Sequence, residues 1–340
     1  MSSFQSPSGF EDLWRPLDKP NRRTPEPILS GPGGANLSMA RLARLAAGAR
    51  EVVASITGAA HNRRALKGQL DYISRRGELA MEDQDGAHLR GRAAISDLLD
   101  DWLAMARADS HQAANAPLSR ALVFSMPPGS DPQAVAAASR DAAYERFGGR
   151  FDFVWVRHDD TAHPHVHMIV RAQGRHCVRF TPDRTDLRDL REAFAAALRA
   201  RGVLAEATPR WLRGVTRKAE RPALRKMREQ FERGEGSAPR TLQAAYLEAA
   251  EAAFGAGGPL RPWEVRIAER QGQVRAFYRQ QAQLLERAAD PQARHLAASL
   301  KAFIHAMPEP DTRRLALARH QRGLNEALLD RDGPARERSR

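Results

Sequence analysis

His158-Asp159-Asp160-Thr161-Ala162-His163-Pro164-His165-Val166-His167 gathers four of the chain's 11 histidines into ten residues. His165 and His167 are spaced i, i+2, which puts both imidazoles on one face if the segment is a strand. The residues before it, Phe151-Asp152-Phe153-Val154-Trp155-Val156-Arg157, are rich in strand formers, and so are His165 to Arg171. Antiparallel pairing about the intervening loop, with His158 opposite His165, sets Val156 opposite His167. Directly opposed residues share a face, so His158, His165 and His167 converge on one side. Phe153, Trp155, Val166, Met168 and Val170 then cover the other side against helices. A slip of one residue would scatter the three rings. Three neutral imidazoles aimed at one point make a divalent metal site. Asp160, in the loop, is expected to accept the second ring N–H of a ligand histidine.

The chain has 340 residues, room for a catalytic domain and a smaller helical region. It contains no run of eighteen apolar residues, so no membrane span is expected. Residues 1–36 are rich in Pro, Ser and Gly and lack a charged-then-apolar leader pattern, and they are expected to be disordered. The single cysteine, Cys177, excludes a disulfide framework and suits a reducing cytoplasm. It is read as a half-buried strand thiol. The formal charge is +13, which suggests a polyanionic partner. Residues 216–340 hold 24 of the 54 basic residues against 16 acidic ones. Most of the excess therefore lies in the last third, notably at Arg217, Lys218, Arg221, Arg225, Lys226 and Arg228.

Along the chain, residues 49–57 read as a strand and 62–76 as a helix striped by Leu66, Leu70 and Ile73. A helix follows at 91–108. Residues 118–126 form a strand stopped by Pro127, Pro128 and Gly129. A helix opened by Asp131 and Pro132 runs to near Gly148. After the histidine hairpin come a short strand at 176–180 and a helix from 184 to 201, ended by Gly202. This order predicts an α/β (α+β) layer structure with a largely antiparallel sheet and flanking helices. Beyond 215 the pattern is helical, with breaks at 234–239, 255–262 and 307–311. The expected organisation is an N-terminal extension (1–47) that is disordered or weakly structured, a catalytic domain (48–215), and a basic helical region (216–340) with a frayed end.

Tyr72, one of four tyrosines, lies off the apolar stripe of its helix and shares a flank with Arg76, four residues on. Gly68 to Leu79 around it, Leu122 to Asp131 with Ser125 before a proline-glycine turn, and His158 to His167 form three motifs in order. Together they resemble the conjugative relaxases, or mobilisation nucleases, of the HUH endonuclease superfamily, and within them the branch of the T-DNA border endonuclease. The resemblance covers roughly residues 48–215.

It implies a fold, the HUH relaxase palm, and an activity. Tyr72 would be the nucleophile that cuts one DNA strand at a transfer origin through a 5′-phosphotyrosine link, which later allows rejoining. His158, His165 and His167 would hold the metal, and Asp160 would orient a ligand histidine or help take the phenolic proton. His163 would support the ligands from outside. Ser125 would contact DNA near the cut, with Arg76 as a second DNA contact. The implied cofactor is Mg²⁺ or Mn²⁺, although an all-imidazole set also suits Zn²⁺. Implied partners are single-stranded origin DNA, accessory origin-binding proteins and a type IV secretion coupling protein. The implied location is the bacterial cytoplasm, with export to a recipient alongside bound DNA. The arginine-rich end, Ala335 to Arg340, is compatible with an export signal. The resemblance further implies that a plasmid or an integrative element encodes it.

Two features bear on the resemblance: the family's tyrosine normally lies close to the N-terminus, whereas a segment of some 45 residues comes first here, and the ligand set is all imidazole. Two alternatives share some of these features. A rolling-circle replication initiator has the same metal site, but its tyrosine typically follows the histidine pair. A non-catalytic DNA-binding or secretion adaptor would use the basic last third, with Trp102 and Trp211 as candidate stacking platforms.

Overall fold

A computed structural model describes residues 34–108, 115–175, 178–217, 220, 222–255 and 260–337. Residues 1–33, Cys177, Lys218, Arg221 and the last three residues lie outside these, together with what the sequence leads one to expect of them. Two compact units divide the chain: Ala40–Ala207, and Thr208–Arg340 together with the residues before Ala40.

The first unit is built on strands β1 (Arg50–Glu51), β2 (Val53–Ala60), β3 (Met81–Asp83), β4 (His88–Leu89), β5 (Ser119–Ser125), β6 (Phe153–His158), β7 (His165–Arg171) and β8 (Ala205–Glu206). Six of them form an antiparallel sheet in the order β2-β5-β7-β6-β3-β4, while β1 and β8 pair in parallel as a separate ribbon. The helices are α1 (Gly34–Ala46), α2 (Arg63–Ile73), α3 (Gly91–Ala108), α4 (Pro132–Phe147) and α5 (Arg184–Ala200). The expected mixed α/β architecture with an antiparallel centre is the observed one.

The strand period sorts the sheet into two faces. On one face Leu122, Phe124, Phe153, Val166, Met168 and Val170 pack against Val135, Ala142 and Phe147 of α4 and Leu190, Phe194 and Leu198 of α5. On the other, Val154, Val156 and Ile169 meet Leu66, Leu70 and Ile73 of α2 and Ile95, Leu99, Trp102 and Leu103 of α3. Val156 pairs with His167 and His158 with His165, the expected register. On the far side of β7, Ser125 pairs with His165. The histidines therefore lie on the α2/α3 face, at the strand ends where the apolar packing stops. Trp102 is buried in this layer and cannot serve as a stacking platform for bases.

Three elements depart from the sequence reading. The helix expected over 62–76 ends at Ile73, because the Ser74 hydroxyl turns back onto the Leu70 carbonyl at 2.7 Å and Arg75, Arg76 and Gly77 adopt left-handed backbone. No strand forms among the described residues of 176–180, where a single bridge joins Gln173 to Arg179. Residues 34–46, within the extension expected to lack stable structure, form α1. Its Leu42 and Leu45 are buried, and its arginines have carboxylates to bind.

Those carboxylates are Glu192 and Glu206. Arg41 holds Glu192 at 2.7 Å and Glu206 at 3.3 Å, and Arg44 reaches Glu206 at 2.7 Å. Glu206 is fully buried; Arg199 lies 3.9 Å away and the Ala207 N–H donates to it at 3.0 Å. Burial of this carboxylate is tolerated only because cations and an amide surround it.

The second unit is helical: α6 (Pro222–Glu232), α7 (Arg240–Phe254), α8 (Pro262–Glu286), α9 (Pro291–Ala306) and α10 (Arg313–Glu337) follow a short 3₁₀ turn at Arg210–Arg213. The three expected breaks fall between helices, and a fourth at 287–290 separates α8 from α9. Helix α10 runs through much of the end expected to fray. Buried Glu264 of α8 binds Arg314 and Thr312. Several arginines of this basic region are internally paired: Arg228 holds Glu220 at 2.8 Å and Glu232 at 2.6 Å, and Arg225 lies 3.7 Å from Glu229. This reduces the cationic surface that the sequence alone suggests.

Glu206→Ala leaves three arginines facing a void and is expected to cost about 3–5 kcal/mol of stability. Urea unfolding followed by circular dichroism measures this, and a loss below about 1 kcal/mol would contradict the assigned role.

Candidate active site

Strand β6 ends on His158 and β7 begins on His165, so the hairpin holds both rings and that of His167 on one face. The ring centroids of His158 and His167 are 4.6 Å apart, those of His165 and His167 5.1 Å, and those of His158 and His165 5.5 Å. One nitrogen from each ring lies within 4.8 Å of the others. Among the described residues this is the one such cluster able to hold a metal ion.

Hydrogen bonds fix which nitrogens face inward. His158, only 2% exposed, places Nε2 2.7 Å from the Ile73 carbonyl. A carbonyl only accepts, so Nε2 carries the hydrogen and Nδ1 keeps its lone pair. His165 Nδ1 donates to the His163 carbonyl at 2.9 Å, which leaves Nε2 free. Thr161 Oγ1 donates to the same carbonyl at 2.9 Å. His163 thus acts on the site through its backbone, while its ring is exposed. Backbone carbonyls take the orienting role expected of Asp160, a common arrangement behind metal-binding histidines. Asp160 instead forms an ion pair with Arg75, and its Oδ1 stands 3.9 Å from His165 Nε2. The guanidinium is brought to this exposed carboxylate by the turn after α2, while the imidazole N–H groups of His158 and His165 are engaged by backbone carbonyls.

Tyr72 lies on the last turn of α2 and is 56% exposed. Its ring meets His167 edge-on at 5.3 Å and lies 6.1 Å from His158. The guanidinium carbon of Arg75 is 5.9 Å from the same ring, and Arg75 Nη2 is 3.4 Å from His158 Nδ1. Arg75 escaped the sequence reading, which favoured Arg76. Since the helix ends three residues early, Arg76 leaves the flank it was expected to share with Tyr72 and faces solvent. The only sequence signal for this reversal is Gly77, which permits a left-handed turn. Ser125 is half-buried, beside His165 on the site's face.

The other three tyrosines are engaged elsewhere. Tyr144 donates to the Gln84 carbonyl. Tyr278 is buried and donates to the Leu212 carbonyl at 2.9 Å, and burial pushes its phenol up. Tyr246 is pushed up to about 12 by desolvation and by Glu232.

Charge at the site favours neutral rings. Burial lowers His167 from 6.5 to about 4, assisted by His158, His165 and Arg75. Burial also lowers His158, against the bond to Ile73. For Asp160, desolvation acts upward, but Arg75 and the neighbouring imidazoles outweigh it and hold the carboxyl below its ordinary range. Three converging imidazoles, two of them with fixed tautomers and two with protonation disfavoured by burial, suit a divalent cation.

The antiparallel sheet thus carries a histidine pair on one central strand, a third histidine on its neighbour and a tyrosine beside them. The model of the relaxase family described as "MobA/VirD2-like, nuclease domain" matches residues 72–203. The T-DNA border endonuclease VirD2 of Rhizobium radiobacter is 30% identical over 171 residues, covering 45% of this chain and 39% of the relative. That of Agrobacterium fabrum (strain C58 / ATCC 33970) is 28% identical over 171 residues, covering 45% and 37%. The chain thus spans under two fifths of the length of these relatives. Within that span it is similar to the nuclease domain of these relaxases.

His158 and His167 bind protons more weakly when folded than when unfolded, so in chelator the unfolded chain takes up more protons below pH 6.5. Stability should therefore rise between pH 4 and pH 6.5. Thermal melts in EDTA across this window should give a shallower slope for His167→Gln than for the wild type; equal slopes would contradict the assignment.

Proposed function

We propose that this protein nicks and rejoins one DNA strand at a transfer origin, with Tyr72 as the nucleophile, initiating conjugative transfer or mobilisation. The observation that carries this reading is the approach of the Tyr72 ring to within 5.3 Å and 6.1 Å of two rings of the histidine triad. His158 through Nδ1, His165 through Nε2 and His167 would hold a divalent ion, Mg²⁺ or Mn²⁺ with Zn²⁺ also suited to the donors. When bound, the ion supplies positive charge to the scissile phosphate.

The remaining steps belong to side chains. The Tyr72 phenolic oxygen attacks phosphorus, a Tyr–O–P bond forms, and the bond to the 3′ oxygen of the preceding nucleotide breaks. That oxygen leaves as a hydroxyl once protonated. Asp160 is held by Arg75 and kept below the ordinary carboxylate range. It is thus a weak base, and the phenolic proton leaves to water at the exposed edge of the site. Arg75 offsets the charge that develops on the phenolate. Ser125, half-buried beside His165, would hydrogen-bond a phosphate next to the cut. Covalent attachment conserves the phosphodiester, so the freed 3′ hydroxyl can reverse the reaction without an external energy source.

The wider role follows from the same reading. The partner would be single-stranded origin DNA, together with accessory origin-binding proteins and a type IV secretion coupling protein. No helix among the described residues is long and apolar enough to cross a membrane, consistent with a protein that works beside DNA and leaves with it.

Incubation with single-stranded oligonucleotides spanning the transfer region of the encoding element, plus Mg²⁺ or Mn²⁺, should give a slower band on a denaturing gel. Mass spectrometry should place the nucleotide on the peptide containing Tyr72. Tyr72→Phe should abolish the band, and His165→Ala should cut its rate at least about 100-fold. Absence of the band with Mg²⁺, Mn²⁺ and Zn²⁺ alike would overturn nicking in favour of a non-catalytic DNA-binding or secretion adaptor.

Arg75→Ala should slow adduct formation by about 10²–10³, the usual loss on removing one charge-stabilising donor. Single-turnover gels measure this, and an unchanged rate would remove Arg75 from the chemistry.

A further inference from the structure

The turn that follows Tyr72 carries more positive charge than the histidine site engages. Arg75 and Arg76 are the two non-glycine residues among those described with left-handed backbone, at φ 51° and 59°. This conformation costs an L residue of order 1–2 kcal/mol. Two in succession send the side chains different ways: Arg75 engages Asp160 and His158, whereas Arg76 is exposed.

The next residue closes the turn. Gly77, at φ 93°, accepts a hydrogen bond from the Gly91 N–H at 3.2 Å. A Cβ at position 77 would lie 2.7 Å from the Gly91 carbonyl carbon and 3.0 Å from the Arg92 nitrogen, so only glycine allows this contact. It seats the turn on the start of α3, where Arg90 and Arg92 flank Gly91. Both arginines are exposed. Among the described residues no carboxylate lies within ion-pair distance of Arg76, Arg90 or Arg92, and Glu78 is the one acidic residue in these two segments. Some exposed arginines elsewhere among the described residues are paired, as Arg63 is with Asp100 and Arg233 with Glu235.

We propose that Arg76, Arg90 and Arg92 form a cationic collar that grips the sugar–phosphate backbone of the single strand beside the cut. The collar rests on the nuclease reading for its place in the reaction, but its binding can be measured without it. Three unpaired guanidinium groups joined through two touching glycines match the chemistry of consecutive phosphates. They contact the backbone and leave base recognition to other surfaces.

The test is binding of a fluorescein-labelled oligothymidylate in EDTA, read by anisotropy over a series of salt concentrations. Each phosphate contact on a single strand contributes about 0.7 to the slope of log K against log salt. The triple variant Arg76→Asn, Arg90→Gln, Arg92→Gln should reduce the slope by about 2, and the corresponding triple lysine variant should restore it, since counterion release follows charge. Asn is used at position 76 because it tolerates left-handed backbone. Melting curves and near-ultraviolet circular dichroism establish that the variants are folded. A folded triple variant with an unchanged slope would overturn the collar, even if the wild type forms the tyrosyl adduct. The expected loss of slope in a protein that forms no adduct would uphold the collar and overturn nicking.

Discussion

A buried hydrogen bond joins the two halves of the site: His158 Nε2–H to the carbonyl of Ile73. The acceptor belongs to the last turn of α2, where helical carbonyls lack partners within the helix. The bond satisfies that carbonyl, sets the tautomer of His158 so that Nδ1 faces inward, and fixes the end of the helix one residue from Tyr72. The phenol and the triad come from segments more than eighty residues apart in sequence. Their proximity depends on this bond and on the packing of Leu66, Leu70 and Ile73 beneath it.

The hairpin supplies the other constraint. Because the strand period is two, the register that pairs His158 with His165 also commits Val154, Val156 and Ile169 to the α2/α3 layer. Slippage by one residue would move these into the face occupied by Phe153, Met168 and Val170 and would bury the histidines against α4 and α5. The apolar core therefore enforces the geometry of the polar site at its edge. Burial at the strand ends has a further effect: it disfavours protonation of His158 and His167, so these two rings offer lone pairs.

The histidine register, the six-stranded sheet's antiparallel centre and the α4 cap at Asp131 could be read from residues, because each follows from local periodicity or capping chemistry. Tyr72 could be identified only through the resemblance of its motif, since helical spacing says which flank a side chain occupies and not what lies opposite. Arg75 was beyond either route. Its position depends on two consecutive left-handed arginines, which propensity disfavours and which the Gly77–Gly91 contact enforces from a distance. Helix α1 was obscured by the Pro/Gly-rich run before it. Its stability comes from Glu192 and Glu206, about 150 residues further along, and no local pattern reports such partners.

The central claim is that three imidazoles, two of them with fixed tautomers, meet one ion beside Tyr72. Crystals soaked in Mn²⁺ and measured at the manganese absorption edge test it most directly. The account predicts a single anomalous peak bonded to His158 Nδ1, His165 Nε2 and a His167 ring nitrogen, with the His158–Ile73 hydrogen bond intact and the Tyr72 hydroxyl facing the ion. A peak bonded to His158 through Nε2, or one that excludes any of the three rings, would contradict it.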